Sequence, residues 1–311
     1  MDSQTSAAAT TLRLNDIDVP VYSLDTLVIG SGAAGYNALD WLYDFGRRNI
    51  AMITEGVNMG TSRNTGSDKQ TYYKLSLNSE DLDSVGNFAR TLFEGRGVNG
   101  DIALTEAACS VRSFIKLANL GVPFPTNEYG VYVGYKTDND PMRRASSAGP
   151  LTSKFMTECL ERSVTKKGIR IFDSMQAIKI LTRDGRVRGV LAIDAEASEN
   201  ENCGATLYAC NNIILATGGP SGIYADSAYP PSQTGMSGMA FEAGADAVNL
   251  TEGQFLMATV KYKWAVSGTY QQVLPCYIAV DRNGVEREFL ADYFDDPAEL
   301  LKMTFLKGYQ Y

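Results

Sequence analysis

The chain has 311 residues, 44% hydrophobic and 21% charged, the balance of an ordinary soluble globular protein with room for one large core or two domains. A net charge of −8 and an isoelectric point near 4.8 speak against a nucleic-acid partner or an anionic membrane surface. Histidine is absent, which excludes Ser-His-Asp and Cys-His nucleophile pairs, histidine-rich zinc sites and histidyl cofactor linkage; no metal centre is expected.

Residues 1–20 are polar, end in Pro20 and read as a flexible N-terminal tail. They lack the basic start and apolar stretch of a secretory leader, and no apolar run in the chain reaches the roughly 18 residues of a membrane helix. A cytoplasmic location without membrane insertion is the expectation. The five cysteines (Cys109, Cys159, Cys203, Cys210 and Cys276) show no C-x-x-C spacing and read as reduced, mostly buried thiols.

Residues 22–29 become continuously apolar, as a strand buried on both faces of a sheet does. Residues 34–45 read as a helix with Ala38, Leu39, Leu42 and Phe45 inward, and residues 50–54 as a second strand with Glu55 at its carboxyl end. Together they form a βαβ unit. A loop rich in Gly, Ser, Thr and Asn covers 56–67. Helices follow over 79–90, over 101–120 with Leu104, Ala107, Ala108, Val111, Phe114 and Leu117 inward, and over 152–166. A strand at 169–172 precedes strands 177–182 and 187–194, joined by the hairpin pair Asp184-Gly185. Residues 202–208 extend that small antiparallel layer. A buried strand over 212–216 then ends in Thr217-Gly218-Gly219, and a helix restarts over 238–243.

Between the first strand and helix lies Gly30-Ser31-Gly32-Ala33-Ala34-Gly35, a G-x-G-x-x-G turn. Its first glycine permits the tight turn, its second lets backbone approach a pyrophosphate, and its third lets helix pack on strand. Free N–H groups and the helix dipole then favour phosphate charge at that corner. Glu55 stands 20 residues beyond Gly35, where a carboxylate accepts both hydroxyls of an adenosine ribose and repels a 2′-phosphate. The turn predicts a dinucleotide cleft but leaves NAD and FAD open.

Four segments resemble the flavoprotein subunits of the succinate dehydrogenase and fumarate reductase family. They are Val28 to Gly35, the loop Gly60-Thr61-Ser62 to Ser67, Ile214-Leu215-Ala216-Thr217-Gly218-Gly219, and Thr234-Gly235 running into Ala243-Gly244-Ala245. The resemblance implies an α/β fold: a Rossmann-like FAD/NAD(P)-binding domain with a parallel sheet, helices and a small antiparallel β layer, followed by the start of a capping domain. The domains would be a tail at 1–20, the N-terminal part of the FAD-binding domain at 21–250, and a partial capping or substrate domain at 251–311. It implies an FAD-dependent oxidoreductase passing a hydride between flavin and a small organic substrate, with a separate electron-transfer partner. Cofactor contacts would come from Gly30, Ser31, Gly32, Ala33, Ala34 and Gly35, from Glu55 on the ribose, and from Thr61, Ser62, Asn64, Thr65, Gly66 and Ser67 beside the pyrophosphate and isoalloxazine. Ala177 would lie by the adenine through its backbone, with Ala216, Thr217 and Gly218 closing over the cofactor.

The chain departs from that pattern in several places. Asn64 stands where the family's flavin-linking histidine would fall, which implies non-covalent FAD. Met236 and Ser237 follow Thr234-Gly235 in place of an acidic residue, and Leu256-Met257 follow Gln254-Phe255 in place of a His-Pro pair. The proton-donating arginine is missing from residues 291–296, so the substrate is expected to be other than succinate or fumarate and no catalytic residue is assigned. The chain also stops inside the expected capping domain, as a truncated member, incomplete and inactive alone, would; a naturally compact relative is the other reading. An NAD-linked dehydrogenase or a non-catalytic remnant of a flavoprotein stays open.

Other features have two readings each. Lys69, Tyr72 and Tyr73 could reach a reacting face, though a solvated lysine and packed tyrosines are the commoner arrangement. Arg143 and Arg144 could clamp an anion or lie exposed in their loop. Phe255, Tyr262, Trp264, Tyr270 and Tyr277 could line an apolar pocket or form the core of the small domain.

Overall fold

The computed structural model describes residues 10–67, 70–78, 80–94, 97–137, 140–197, 199, 202–225, 227, 229, 233–248, 250, 259, 261–262 and 268–307. The chain opens with β1 (Thr10–Leu14), β2 (Ile17–Ile29), α1 (Ala33–Asp44), β3 (Ile50–Ile53) and the short α2 (Thr61–Asn64). Next come β4 (Tyr72–Tyr73), α3 (Val85–Glu94), α4 (Gly100–Asn119), β5 (Ala145–Ser146) and α5 (Thr152–Lys166). Then follow β6 (Arg170–Phe172), β7 (Met175–Arg183), β8 (Arg186–Asp194), β9 (Ala205–Leu215), α6 (Ser237–Glu242), β10 (Ile278–Val280), β11 (Glu286–Glu288) and α7 (Pro297–Lys307). Two compact units result, one made of residues 1–65 and 153–248, the other of 66–152 and 249–311. One boundary between them falls at 248. The segment 66–152, however, groups with the later residues rather than with the glycine turn.

The first unit is built on a seven-stranded sheet in the order β6-β3-β2-β9-β8-β7, with β1 added to β2. The β2–β3, β3–β6 and β2–β9 pairs are parallel; β7–β8 and β8–β9 are antiparallel. Leu27, Val28, Ala51, Met52 and Ile53 are wholly buried, because strands covered on both faces must be apolar at every position. The core continues through Met175, Ala177, Val190, Ala192 and Tyr208 of β7 to β9.

Three expectations change here. A tail was expected over 1–20, but Thr10–Leu14 pairs antiparallel with Ile17–Val21, turned by Asn15 in the left-handed region (φ 52°). The segment 202–208 and the strand 212–216 are one strand, β9, carried through the exposed pair Asn211-Asn212; Asn212 donates to the Asp25 carbonyl at 3.2 Å. The antiparallel layer therefore runs straight into the parallel sheet. On α1 the buried positions are Gly35, Tyr36, Leu39 and Asp40, while Phe45 is 65% exposed. Asp40 is tolerated inside because Lys167 (2.8 Å) and the Ser163 hydroxyl (2.5 Å) hold its carboxylate.

In the second unit Asn99 caps α4 by accepting from the Asp101 and Ile102 amides. Ala103, Ala107, Ser110, Phe114 and Leu117 face inward; Leu104 and Ala108, expected there, are exposed. Tyr72, Phe124 and Tyr132 pack on Phe114, and Tyr73 packs on Phe88. Between these rings Lys74 is fully buried, its Nζ 4.7 Å from the Phe114 ring centre and without a hydrogen-bond partner among the described residues. Burial pushes its amine down from 10.5 to about 8.

The folded state therefore bears the cost of a buried charge below pH 8, about 3 kcal/mol at 1.36 kcal/mol per pKa unit. That cost fades as pH rises toward the unfolded value. Lys74→Met should stabilise urea unfolding by about that amount at pH 7, with the advantage shrinking toward pH 10. A gain that does not vary with pH would assign the effect to packing instead.

Candidate functional site

The carboxyl ends of β2, β3 and β9 and the amino end of β7 converge in the first unit on a cavity of about 930 Å³. Gly30 ends β2 with φ +106°, and a Cβ there would stand 2.5 Å from the Ala216 carbonyl oxygen. A Cβ on Gly35 would stand 1.9 Å from the Gly30 oxygen, so α1 reaches the sheet only because both positions are glycine. Gly32 begins α1 in extended conformation with no side-chain cap. The first-turn amides of α1 are thus left for a ligand at the positive end of the helix.

Ser31 closes the neighbouring turn. Its buried hydroxyl meets Thr54 Oγ1 at 2.9 Å and donates to the Gly56 carbonyl at 3.0 Å. Met175 N donates to Thr54 O at 2.8 Å, and Thr54 N to Phe172 O at 3.0 Å, so the ends of β3, β6 and β7 are tied together. Glu55, between the tied residues, is exposed on the cavity wall, and its carboxylate has no partner among the described residues.

On the next flank Gly60 lies against Gly32, with a virtual Cβ 3.3 Å from Gly32 Cα, and Ser62 Oγ sits 3.4 Å from the place a Gly32 Cβ would occupy. Asn64 turns its amide back onto its own loop, donating to Asn58 O (2.6 Å) and Gly60 O (3.1 Å). Behind the loop Arg63 donates to Glu161 at 2.6 Å, and the Tyr36 hydroxyl to the same carboxylate at 3.4 Å. Burial and Glu161 push that hydroxyl up to about 12. At the far wall Thr217 Oγ1 donates to Gly235 O at 2.7 Å.

Of the expected residues, Gly30, Ser31, Gly32, Ala34, Glu55, Thr61, Ser62, Asn64, Thr65, Ala177, Ala216, Thr217 and Gly218 line this cavity. Ala33 and Gly35 lie in α1 behind the wall. Gly66 and Ser67 belong to the second unit, where Ser67 N donates to Pro150 O at 3.0 Å. Sequence reading missed the methionines Met59, Met175, Met236 and Met239, and Gln176, Gln233 and Thr234. Met236 precedes α6 in the left-handed region (φ 51°). Thr234 and Met236 belong to the Thr234-Gly235 segment that carries the resemblance; no motif marks the others, which only their neighbourhood to Ala177 and Gly235 could have suggested.

The remaining candidates sit elsewhere. Arg144 is neither an anion clamp nor exposed: its guanidinium is buried between Asp83 (2.7 Å) and Asp140 (3.3 Å). Arg143 pairs with Glu80 at 2.9 Å. Tyr72 and Tyr73 are packing residues, while Tyr262 and Tyr270 are exposed and Tyr277 is half-buried. Lys69, Gln254, Phe255, Leu256, Met257 and Trp264 lie outside the described residues. All five cysteines are free, but only Cys159 and Cys210 are buried. Among the described residues no helix is long and apolar enough to cross a membrane, and no acidic or thiol cluster could hold a metal.

A strand-turn-helix with an uncapped helix start, a facing carboxylate and a second strand end beside it defines a dinucleotide-binding protein of the Rossmann type. The FAD binding domain family model matches residues 25–295, and the chain belongs to that family. FAD, not NAD, is therefore its cofactor.

One of the subunits of the fumarate reductase (CoM/CoB) of Methanothermobacter marburgensis is 26% identical over 242 residues, covering 76% of this chain and 42% of that protein. The L-aspartate oxidase of Vibrio cholerae is 24% identical over 297 residues, 90% of this chain and 52% of that protein. Both relatives are enzymes. Among solved structures, an E. coli quinol fumarate reductase superposes with a TM-score of 0.63 at 19% identity, over 71% of this chain and 37% of that one. A 3-ketosteroid-delta4-(5alpha)-dehydrogenase from Rhodococcus jostii gives 0.57 at 20% identity, over 72% and 55%. The chain spans about half the length of the curated relatives it matches, or less.

Glu55→Ala should weaken FAD binding about tenfold in a flavin-fluorescence titration, the loss of roughly one charge-assisted hydrogen bond. Unchanged affinity would remove Glu55 from the ribose.

Proposed function

We propose that this chain forms the cofactor-holding part of an FAD-dependent oxidoreductase that passes a hydride between flavin and a small organic substrate. The single observation that carries the reading is the junction of the uncapped α1 start, the unpartnered Glu55 carboxylate and the Ala216 to Gly218 strand end around one cavity. The residues present fit the cofactor: backbone approaches too close for any Cβ, free amides for a diphosphate, and a carboxylate for a ribose.

FAD supplies two-electron hydride chemistry at its N5 when bound. The amides that follow Gly30 at the start of α1 hold the diphosphate, Glu55 the adenosine ribose, and the Ala177 backbone the adenine. Thr61, Ser62 and Asn64 run beside the diphosphate toward the isoalloxazine. Thr217 and Gly218 cover the other side and help exclude water.

Attachment is non-covalent, because Asn64 offers an amide, which is no nucleophile, and that amide is already committed to Asn58 and Gly60. The substrate is a small molecule other than succinate or fumarate, a reading supported by the absence of arginine from residues 291–296. Reducing equivalents are exchanged with a separate electron-transfer partner.

The purified chain mixed with FAD should turn yellow, and acid precipitation should leave all the flavin in the supernatant. A well-folded chain that stays colourless would overturn the reading, and flavin in the pellet would overturn non-covalent attachment.

A further inference from the structure

The two flanks of the glycine turn are joined by one side-chain contact. Thr61, on the loop packed against Gly32, donates its hydroxyl to Gln233 Oε1, on the loop that follows β9. The Gln233 loop is itself anchored, since its carbonyl accepts from Gly222 N at 2.7 Å. Oε1 faces Thr61, and Nε2 is set on the Gly218 side. It lies 3.5 Å from the point a Gly218 Cβ would occupy, where the φ of +74° and the missing side chain leave room. No partner for Nε2 exists among the described residues, and both Thr61 and Gln233 line the cavity.

A primary amide whose oxygen is turned toward Thr61 presents its two N–H donors on the other side, which suits an anionic oxygen. Cationic side chains are missing from the described wall: Glu55 is its one ionisable residue. The donors that the described wall offers a phosphate oxygen are neutral.

Resting on the FAD reading above, we propose that Gln233 is a further cofactor-binding residue. Its Nε2, oriented by the Thr61 hydroxyl, donates to the diphosphate from the side opposite α1. Thr61 acts through Gln233 as a positioning residue.

The test is a set of FAD affinities for the full chain, read by flavin fluorescence, with ADP competition run in parallel. Gln233→Glu, which puts a carboxylate where a donor is needed, should weaken FAD more than tenfold. Gln233→Ala should weaken it several-fold and Thr61→Val somewhat less, while Thr61→Ser keeps near-native affinity. The Thr61→Val, Gln233→Ala double variant should be no weaker than Gln233→Ala alone, because the two groups act as one unit. ADP, which carries the diphosphate without the flavin, should lose by the same factors.

Wild-type affinity in Gln233→Glu, or independent losses in the double variant, would overturn the proposal while leaving the FAD reading intact. Losses seen with FAD but not with ADP would move the contact to the flavin end and overturn it equally. Failure of the unaltered chain to take up FAD would overturn both.

Discussion

At the carboxyl ends of β2 and β9, main chain meets main chain with nothing between. Gly30 faces the Ala216 carbonyl, Gly35 faces the Gly30 carbonyl, and each approach is closer than any Cβ allows. The rest of the first unit follows from this. Only with α1 seated so low on the sheet do its first amides open toward the ends of β3 and β9 rather than into solvent. A methyl group at either glycine would lift the helix and separate the donors from the carboxylate that faces them.

The ends of the other strands are fixed by polar ties rather than by packing. Ser31, Thr54 and the Gly56 carbonyl form one knot, and the Thr54 backbone links it to Phe172 and Met175. Polar groups buried in this way are stabilising only when each finds a partner, and here the partners come from strands far apart in sequence. Glu55 owes its position on the wall to this knot more than to any contact of its own. Hydroxyl and backbone groups do the orienting, and the carboxylate is left with its full accepting capacity.

How much of this was readable beforehand depended on how local the signal was. The glycine turn, Glu55 and the Ala216 to Gly218 strand end carry their information in a few adjacent residues, and they stand around the cavity where the motif logic put them. The Asp184-Gly185 hairpin was equally plain. Features that rest on distant partners were not readable. Nothing in the sequence marked Asp40 as buried, because its partners Ser163 and Lys167 come from the end of α5 and the residue beyond it. Arg144 looked like a loop residue because Asp83 lies 61 positions away. The segments read at 202–208 and 212–216 are one strand because in an exposed stretch of β9 the two amides of Asn211-Asn212 cost it little. Residues 10–20 looked like a tail because β1 is exposed at every position and carries no core pattern.

The character of the cavity wall also sets how a ligand arrives. With no cation on the described wall, one carboxylate on it, and a chain carrying −8 overall, the potential at the mouth opposes an anion. A cleft lined by lysine or arginine draws phosphates in by long-range steering, which salt abolishes. This one offers short-range dipoles that act only after contact, so encounter runs against the field of the chain. Raising ionic strength screens that opposition and speeds capture, the inverse of the usual salt response of a phosphate-binding protein.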